Sequence, residues 1–111
     1  MGAHRILIIS GRPLFREGLS SLLRGEVGLE VVGAVGDAGI ARDGWPSLAP
    51  DVVILDRDDV KPSDLETLLS AKDRRVKVIV LSWINEDMAI YHRQPLRRAN
   101  LETLLEAIRS E

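Results

Sequence analysis

Four apolar runs divide the chain: ILII (6–9), LEVVGAV (29–35), DVVILD (51–56) and VKVIVLS (76–82). The first, third and fourth are leucine-rich or β-branched with little alternation, the pattern of strands covered on both faces of a parallel sheet. Between the runs the hydrophobic period becomes helical. Over 13–24, PLFREGLSSLLR places Leu14, Gly18, Leu19, Leu22 and Leu23 on one face, with Pro13 in the first turn and Gly25 past the end as helix punctuation. SDLETLLSAK (63–72) opens with Ser63 and Glu66 at capping-box spacing and presents Leu65, Leu68 and Leu69. NLETLLEAIR (100–109) has Asn100 as its cap and Leu101, Leu104, Leu105 and Ile108 as its stripe. In 37–50, DAGIARDGWPSLAP, the residues Gly39, Gly44 and Pro46 allow only a short or broken helix. Strand and helix alternate, so the fold class is α/β with a mostly parallel sheet. Sites in such sheets form at the carboxyl ends of the strands, which directs attention to Ser10–Arg12, Asp56–Asp59 and Ser82–Trp83.

The chain has 111 residues, which predicts one domain over 1–111. A domain of this size buries roughly two-thirds of its unfolded surface, enough for a core without staples. Fifteen basic and 17 acidic residues leave a net charge of -2, so direct nucleic-acid binding is not expected. There is no cysteine, which excludes a disulfide framework and thiolate metal sites and fits a cytoplasmic protein. His4 and His92 lie far apart in sequence without metal-ligand spacing. No run reaches the ~20 apolar residues of a membrane span.

RPLFREGL (12–19), DVVILD (51–56), VKVIVLS (76–82) and LETLLEAIR (101–109) together resemble the response-regulator receiver domains, in particular those that precede a helix-turn-helix DNA-binding domain. The resemblance covers nearly the whole chain. It implies a flavodoxin-like sheet of order 2-1-3-4-5 and a function in which an aspartate accepts a phosphoryl group and the far face of the domain responds. The implied phosphoacceptor is Asp56, and the implied hydroxyl that reads the phosphoryl group is Ser82.

The other positions depart from the family pattern. The acidic pair after the first strand falls on Ser10 and Gly11, the lysine after the fifth strand on Arg97, the aromatic switch on Gln94, and the small residue beside the phosphoryl pocket on Trp83. Phosphoryl transfer to a carboxylate needs a metal ion to neutralise the migrating group. Mg²⁺ dehydrates reluctantly and relies on carboxylates in near-octahedral geometry. The family pattern gives a local charge of about -2, whereas Asp56 with Arg97 sums to about zero, with Arg12 and Arg57 adding positive charge nearby. Because a guanidinium favours bidentate carboxylate pairing, Arg97 is expected to pair with Asp56 and fill the space of the phosphoryl group and metal. Trp83 would crowd the same pocket.

Fifteen positions separate Ser82 from Arg97, too few for a whole helix and a fifth strand. The fourth helix is therefore expected to be shortened or missing, and an antiparallel or irregular final segment is open as an alternative over 83–96. These readings converge on a degenerate receiver: a phosphorylation-independent, non-enzymatic interaction module in transcription regulation, with no metal and no cofactor. Its expected partner is a protein or a second copy of the chain, with a C-terminal DNA-binding domain outside this chain. Two alternatives stand beside it. One is a conventional phospho-aspartate switch whose metal site uses Asp56, Asp58 and Asp59. The other is a small-molecule sensor built around Ser10, Gly11, Arg97 and Trp83.

Overall fold

Burial on both faces accounts for the continuous apolar runs. In β1 (His4–Ile9), β3 (Val52–Asp56) and β4 (Lys77–Ser82), side chains alternate between two separate clusters, so neither parity can be polar. Ile6, Ile8, Val52, Ile54, Ile79 and Leu81 point to one face, while Leu7, Ile9, Val53, Leu55, Val78 and Val80 point to the other. Each such leucine or isoleucine taken fully out of water contributes about 1.5–3 kcal/mol. The computed structural model describes residues 3–37, 39, 47–59, 76–82, 87–91, 97–98 and 101–109, with the strands at 87–91 and 97–98 and residue 101 by backbone only.

The strand order is β2-β1-β3-β4-β5-β6, with β2 at Leu29–Val35, β5 at Asp87–Tyr91 and β6 at Arg97–Arg98. The first four strands are parallel in the expected order 2-1-3-4. The next strand pairs antiparallel with β4, and β6 pairs antiparallel with β5. Four residues separate Ser82 from Asp87, whereas a parallel crossover needs about a dozen, so the chain returns as a hairpin. Among the described residues no helix is long and apolar enough to cross a membrane.

Helix α1 (Pro13–Arg24) has the expected ends, with Pro13 in its first turn and Gly25 at its C-cap. Its buried face differs from the expected one. Phe15, Leu19, Ser20 and Leu23 are inside, whereas Leu14 is 85% exposed, Leu22 is 42% exposed and Gly18 faces open space. Two adjacent rows at four-residue spacing compete here, 14/18/22 and 15/19/23. The second row carries a phenylalanine, while the first has a glycine with nothing to bury. Helix α2 (Leu101–Arg109) lies beside α1 on the same face and packs through Leu104, Ala107 and Ile108. Its C-terminal end is held by Lys77, whose ammonium donates to the Ala107 carbonyl at 2.5 Å. Burial alone pushes the Lys77 pKa below its usual value. The helix expected at 63–72 lies outside the described residues. Of the segment 37–50, residues 47–48 are helical and end at Ala49 (φ 44°), where Arg5 donates to the Leu48 and Ala49 carbonyls.

Candidate functional site

The parallel register brings the carboxyl ends of β1, β3 and β4 to one edge of the sheet. Ile9 lies beside Leu55, and Asp56 beside Leu81. Ser10, Asp56 and Ser82 follow these pairs inward and are all buried. A buried carboxylate at this position requires partners, and the two loops supply them.

Asp56 accepts four hydrogen bonds. The Arg12 guanidinium donates twice, from Nε to Oδ2 at 2.6 Å and from Nη2 to Oδ1 at 2.7 Å. The Ser10 hydroxyl donates to Oδ2 at 2.7 Å, and the Asp58 backbone N–H donates to Oδ1 at 3.0 Å. A carboxylate offers about four lone-pair directions, so this one is saturated. Arg12 stands at the N-cap of α1 in extended conformation and does not cap the helix with its side chain. Its side chain instead turns back over the β1 terminus, with the guanidinium 5.5 Å from the centre of the Phe15 ring. Its backbone N–H donates to the Ser10 hydroxyl oxygen at 3.0 Å, which fixes the serine that in turn holds Asp56. Donating to the Asp56 carboxylate raises the Arg12 pKa further above its ordinary high value, with desolvation opposing it. The guanidinium is therefore a permanent cation in this site.

The turn after β3 is built by its own acids. Asp59 N–H donates to the Asp56 carbonyl at 3.1 Å, closing a four-residue turn, and the Asp58 N–H bond to the Asp56 side chain completes an Asx-type loop. The turn brings the Asp58 carboxylate over the end of β4. There it accepts the Ser82 hydroxyl at 2.9 and 3.1 Å and lies 3.7 Å from Arg12 Nη2. Asp59 faces the other loop and accepts the Gly11 N–H at 2.6 Å. A Cβ on residue 11 would stand 2.9 Å from Asp59 Oδ2, so a larger residue there would require the Asp59 carboxylate to shift away from this position. Arg16 donates to the Ser10 carbonyl at 2.6 Å. No buried polar side-chain atom among the described residues lacks a partner.

The polarity of the site is the reverse of a metal-binding one. The β1–α1 loop contributes donors, and the loop after β3 contributes the acceptors that use them. Asp56, Asp58 and Asp59 are consecutive acids save for Arg57, yet they turn to three different donors, and no group of three among the described residues is arranged to hold a cation. These residues do not fit Mg²⁺. The rearranged metal site of Asp56, Asp58 and Asp59 has no support in this arrangement.

Arg97 is the expected arginine partner of Asp56, but the arginine that pairs with it is Arg12. Arg97 lies in the same cross-sheet row as Asp56, through Leu81 and Met88, but β4 and β5 stand between them. Three strand spacings amount to about 14 Å, so the inserted antiparallel strand carries residue 97 to the sheet edge. The side chains of Trp83 and Arg97 lie outside the described residues. No spacing in the sequence marks Asp58 as the acceptor of the Ser82 hydroxyl. One signal was available for Arg12: an arginine immediately before Pro13 occupies a cap position that favours Ser, Thr, Asp or Asn.

Beside Arg12 a groove of about 780 Å³ runs along the outer face of α1, lined by Gly11, Pro13, Leu14, Gly18 and Leu22.

No protein-family model matches the chain. It is similar to the transcriptional regulatory protein BtsR of Salmonella typhi, with 30% identity over 116 residues covering 96% of this chain and 48% of that protein. It is also 30% identical over 115 residues to the nitrate/nitrite response regulator protein NarP of Escherichia coli, covering 96% of this chain and 54% of NarP. The chain thus spans about half the length of these relatives. In fold it is similar to the signal receiver domain of NarL from Mycobacterium tuberculosis, with a TM-score of 0.62 and 23% identity over 86% of this chain and 72% of that one.

Proposed function

We propose a phosphorylation-independent signalling role for this chain, which belongs to the response-regulator receiver domains. The observation that carries the reading is the saturation of Asp56. Its four acceptor directions are taken by Arg12, Ser10 and the Asp58 N–H, which leaves no oxygen to attack a phosphoryl donor. The permanent charge of Arg12 also opposes a divalent cation beside it. The domain then works as a non-enzymatic interaction module of 111 residues with a fixed site, and its output is contact with a protein partner or a second copy of itself. Relatives named as transcriptional and response regulators support a role in transcription regulation, and in this reading DNA contact falls to a C-terminal domain outside this chain. Such a role places the protein in the cytoplasm.

The test is an amide NMR titration with Mg²⁺ and then beryllofluoride. No saturable shift at Asp56, Ser82 or their neighbours is expected up to ~10 mM metal, beyond the range of ordinary divalent sensor sites. Saturable shifts centred on Asp56 would overturn the reading.

The groove beside Arg12 supports a second reading, a small-molecule sensor, because its size suits a small organic ligand and Arg12 is among the residues that line it. Thermal stabilisation by an anionic, partly apolar metabolite that is lost in Leu22→Asp would favour it.

A further inference from the structure

We infer that Asp58 acts as a resident stand-in for a phosphoryl group, with Arg12 as the resident stand-in for the metal. The inference rests on the phosphorylation-independent reading above and names how that site is regulated: by its own side chains. Ser82 ends β4 with its hydroxyl buried, at the position the family resemblance assigns to reading a phosphoryl oxygen. Its hydroxyl is not idle. It donates into the Asp58 carboxylate, with both oxygens in range at 2.9 and 3.1 Å.

On its other side the same carboxylate faces Arg12 Nη2 at 3.7 Å. An anion therefore lies between a cation seated on Asp56 and the hydroxyl at the end of β4. This is the electrostatic sequence that a phosphorylated aspartate with its counter-cation would present to that hydroxyl. Each link has a local cause. The hydrogen-bonded turn Asp56–Asp59 aims Asp58 at β4, and the Asp58 N–H bond to Asp56 holds the turn against the carboxylate that Arg12 neutralises. The hydroxyl is thus held in an engaged position without any covalent step, and β4, which hydrogen-bonds to β5, carries that state to the neighbouring antiparallel strand.

The experiment compares Asp58→Ala, Ser82→Ala and the double variant by amide NMR of the chain, reading β4 (77–82) and β5 (87–91). If Asp58 acts through Ser82, the two single variants move the same β4 and β5 amides in the same direction, and the double variant moves them no further than either single one. Shifts in Asp58→Ala confined to 56–59 and 10–12, or additive shifts in the double variant, would overturn the inference. Should Asp58→Ala fail to fold, Asp58→Asn keeps a carbonyl acceptor and removes the charge. It must then move the same amides part of the way towards the Ser82→Ala positions, and wild-type positions in β4 and β5 would overturn the inference. Beryllofluoride binding by the wild-type chain would instead overturn the phosphorylation-independent reading, so the two failures are separable.

Discussion

Arg12 and Asp56 meet at two points, 2.6 Å from Nε to Oδ2 and 2.7 Å from Nη2 to Oδ1, across the gap between the helix α1 entrance and the end of β3. The carboxylate is 0% exposed and the arginine side chain 39%. The pair is therefore asymmetric: losing the arginine strands a buried charge, while losing the carboxylate returns the arginine to water.

Arg12→Ala should destabilise the fold by about 2–3 kcal/mol, somewhat less than the loss of one partner in a wholly buried pair because the arginine side is wet. Asp56→Ala should be milder, and the double variant should be more stable than Arg12→Ala alone. Urea unfolding of the four proteins checks this. An Arg12→Ala chain as stable as the wild type would mean that the contact contributes nothing to folding.

Phe15 and Leu14 are neighbours on α1 with opposite surroundings. Phe15→Ala should cost about 3–5 kcal/mol through the cavity it leaves. Leu14→Ala should stay within about 0.5 kcal/mol of wild type, as for an ordinary surface change. Thermal unfolding separates them by many degrees, and comparable losses would reverse the assignment of the helix's buried row.

That helix shows where the amino-acid pattern stops being informative. Strands β1, β3 and β4 are legible because burial on both faces leaves no polar parity to misread. In α1 two rows of apolar residues lie side by side, and only the packing partner selects between them. The reversal of β5 was legible as an alternative, since too few residues follow Ser82 for a crossover. At the site, Asp56 and Ser82 are found by their places at strand ends. Which of several arginines reaches Asp56 depends on the backbone angle at residue 12 and on the strand inserted before residue 97, and neither leaves a periodic trace.

Gly11 and Asp59 join the two loops by one hydrogen bond at a distance that a Cβ on residue 11 would force the Asp59 carboxylate to give up. Gly11→Ala and Asp59→Ala should each cost on the order of 1 kcal/mol, the net worth of that bond. Because they remove the same contact, the double variant should cost about as much as either single change. Full additivity in chemical denaturation would show that the loops are held independently.

Lys77 gives the fold an alkaline signature. Its pKa is lowered in the folded state by burial, so in the window between that value and 10.5 the unfolded chain binds more protons than the folded one. Stability attributable to this residue is therefore lowest below the window and rises with pH through it. Arg12, whose pKa is raised still further above its ordinary high value by the hydrogen bond to Asp56, adds no slope there because it stays charged in both states. Relative to Lys77→Met, the wild-type chain should gain stability as the pH rises towards 10.5. An unchanged difference across that range would mean that the ammonium pays no desolvation penalty.

The exclusion of a cation by Arg12 can be tested by reversing it. Arg12→Ala alone opens one acceptor direction on each Asp56 oxygen, with Ser10 and the Asp58 N–H still bound, but one carboxylate beside a serine remains a poor Mg²⁺ site. Adding Ser10→Asp returns a second carboxylate to the end of β1, within reach of Asp56 because Ser10 already contacts it at 2.7 Å. The removed guanidinium leaves the space in which a hydrated ion could sit between them. The double variant should bind Mg²⁺ with a Kd on the order of 10⁻³ M, read as saturable amide shifts at residues 10–12 and 56–58, while the wild-type chain shows none. Gly11 is left unchanged in this design, since the contact with Asp59 holds the loop that carries the new acid. A folded double variant that ignores Mg²⁺ would show that the resident guanidinium is not what keeps the metal out, and the shape of the loops would have to be the cause instead.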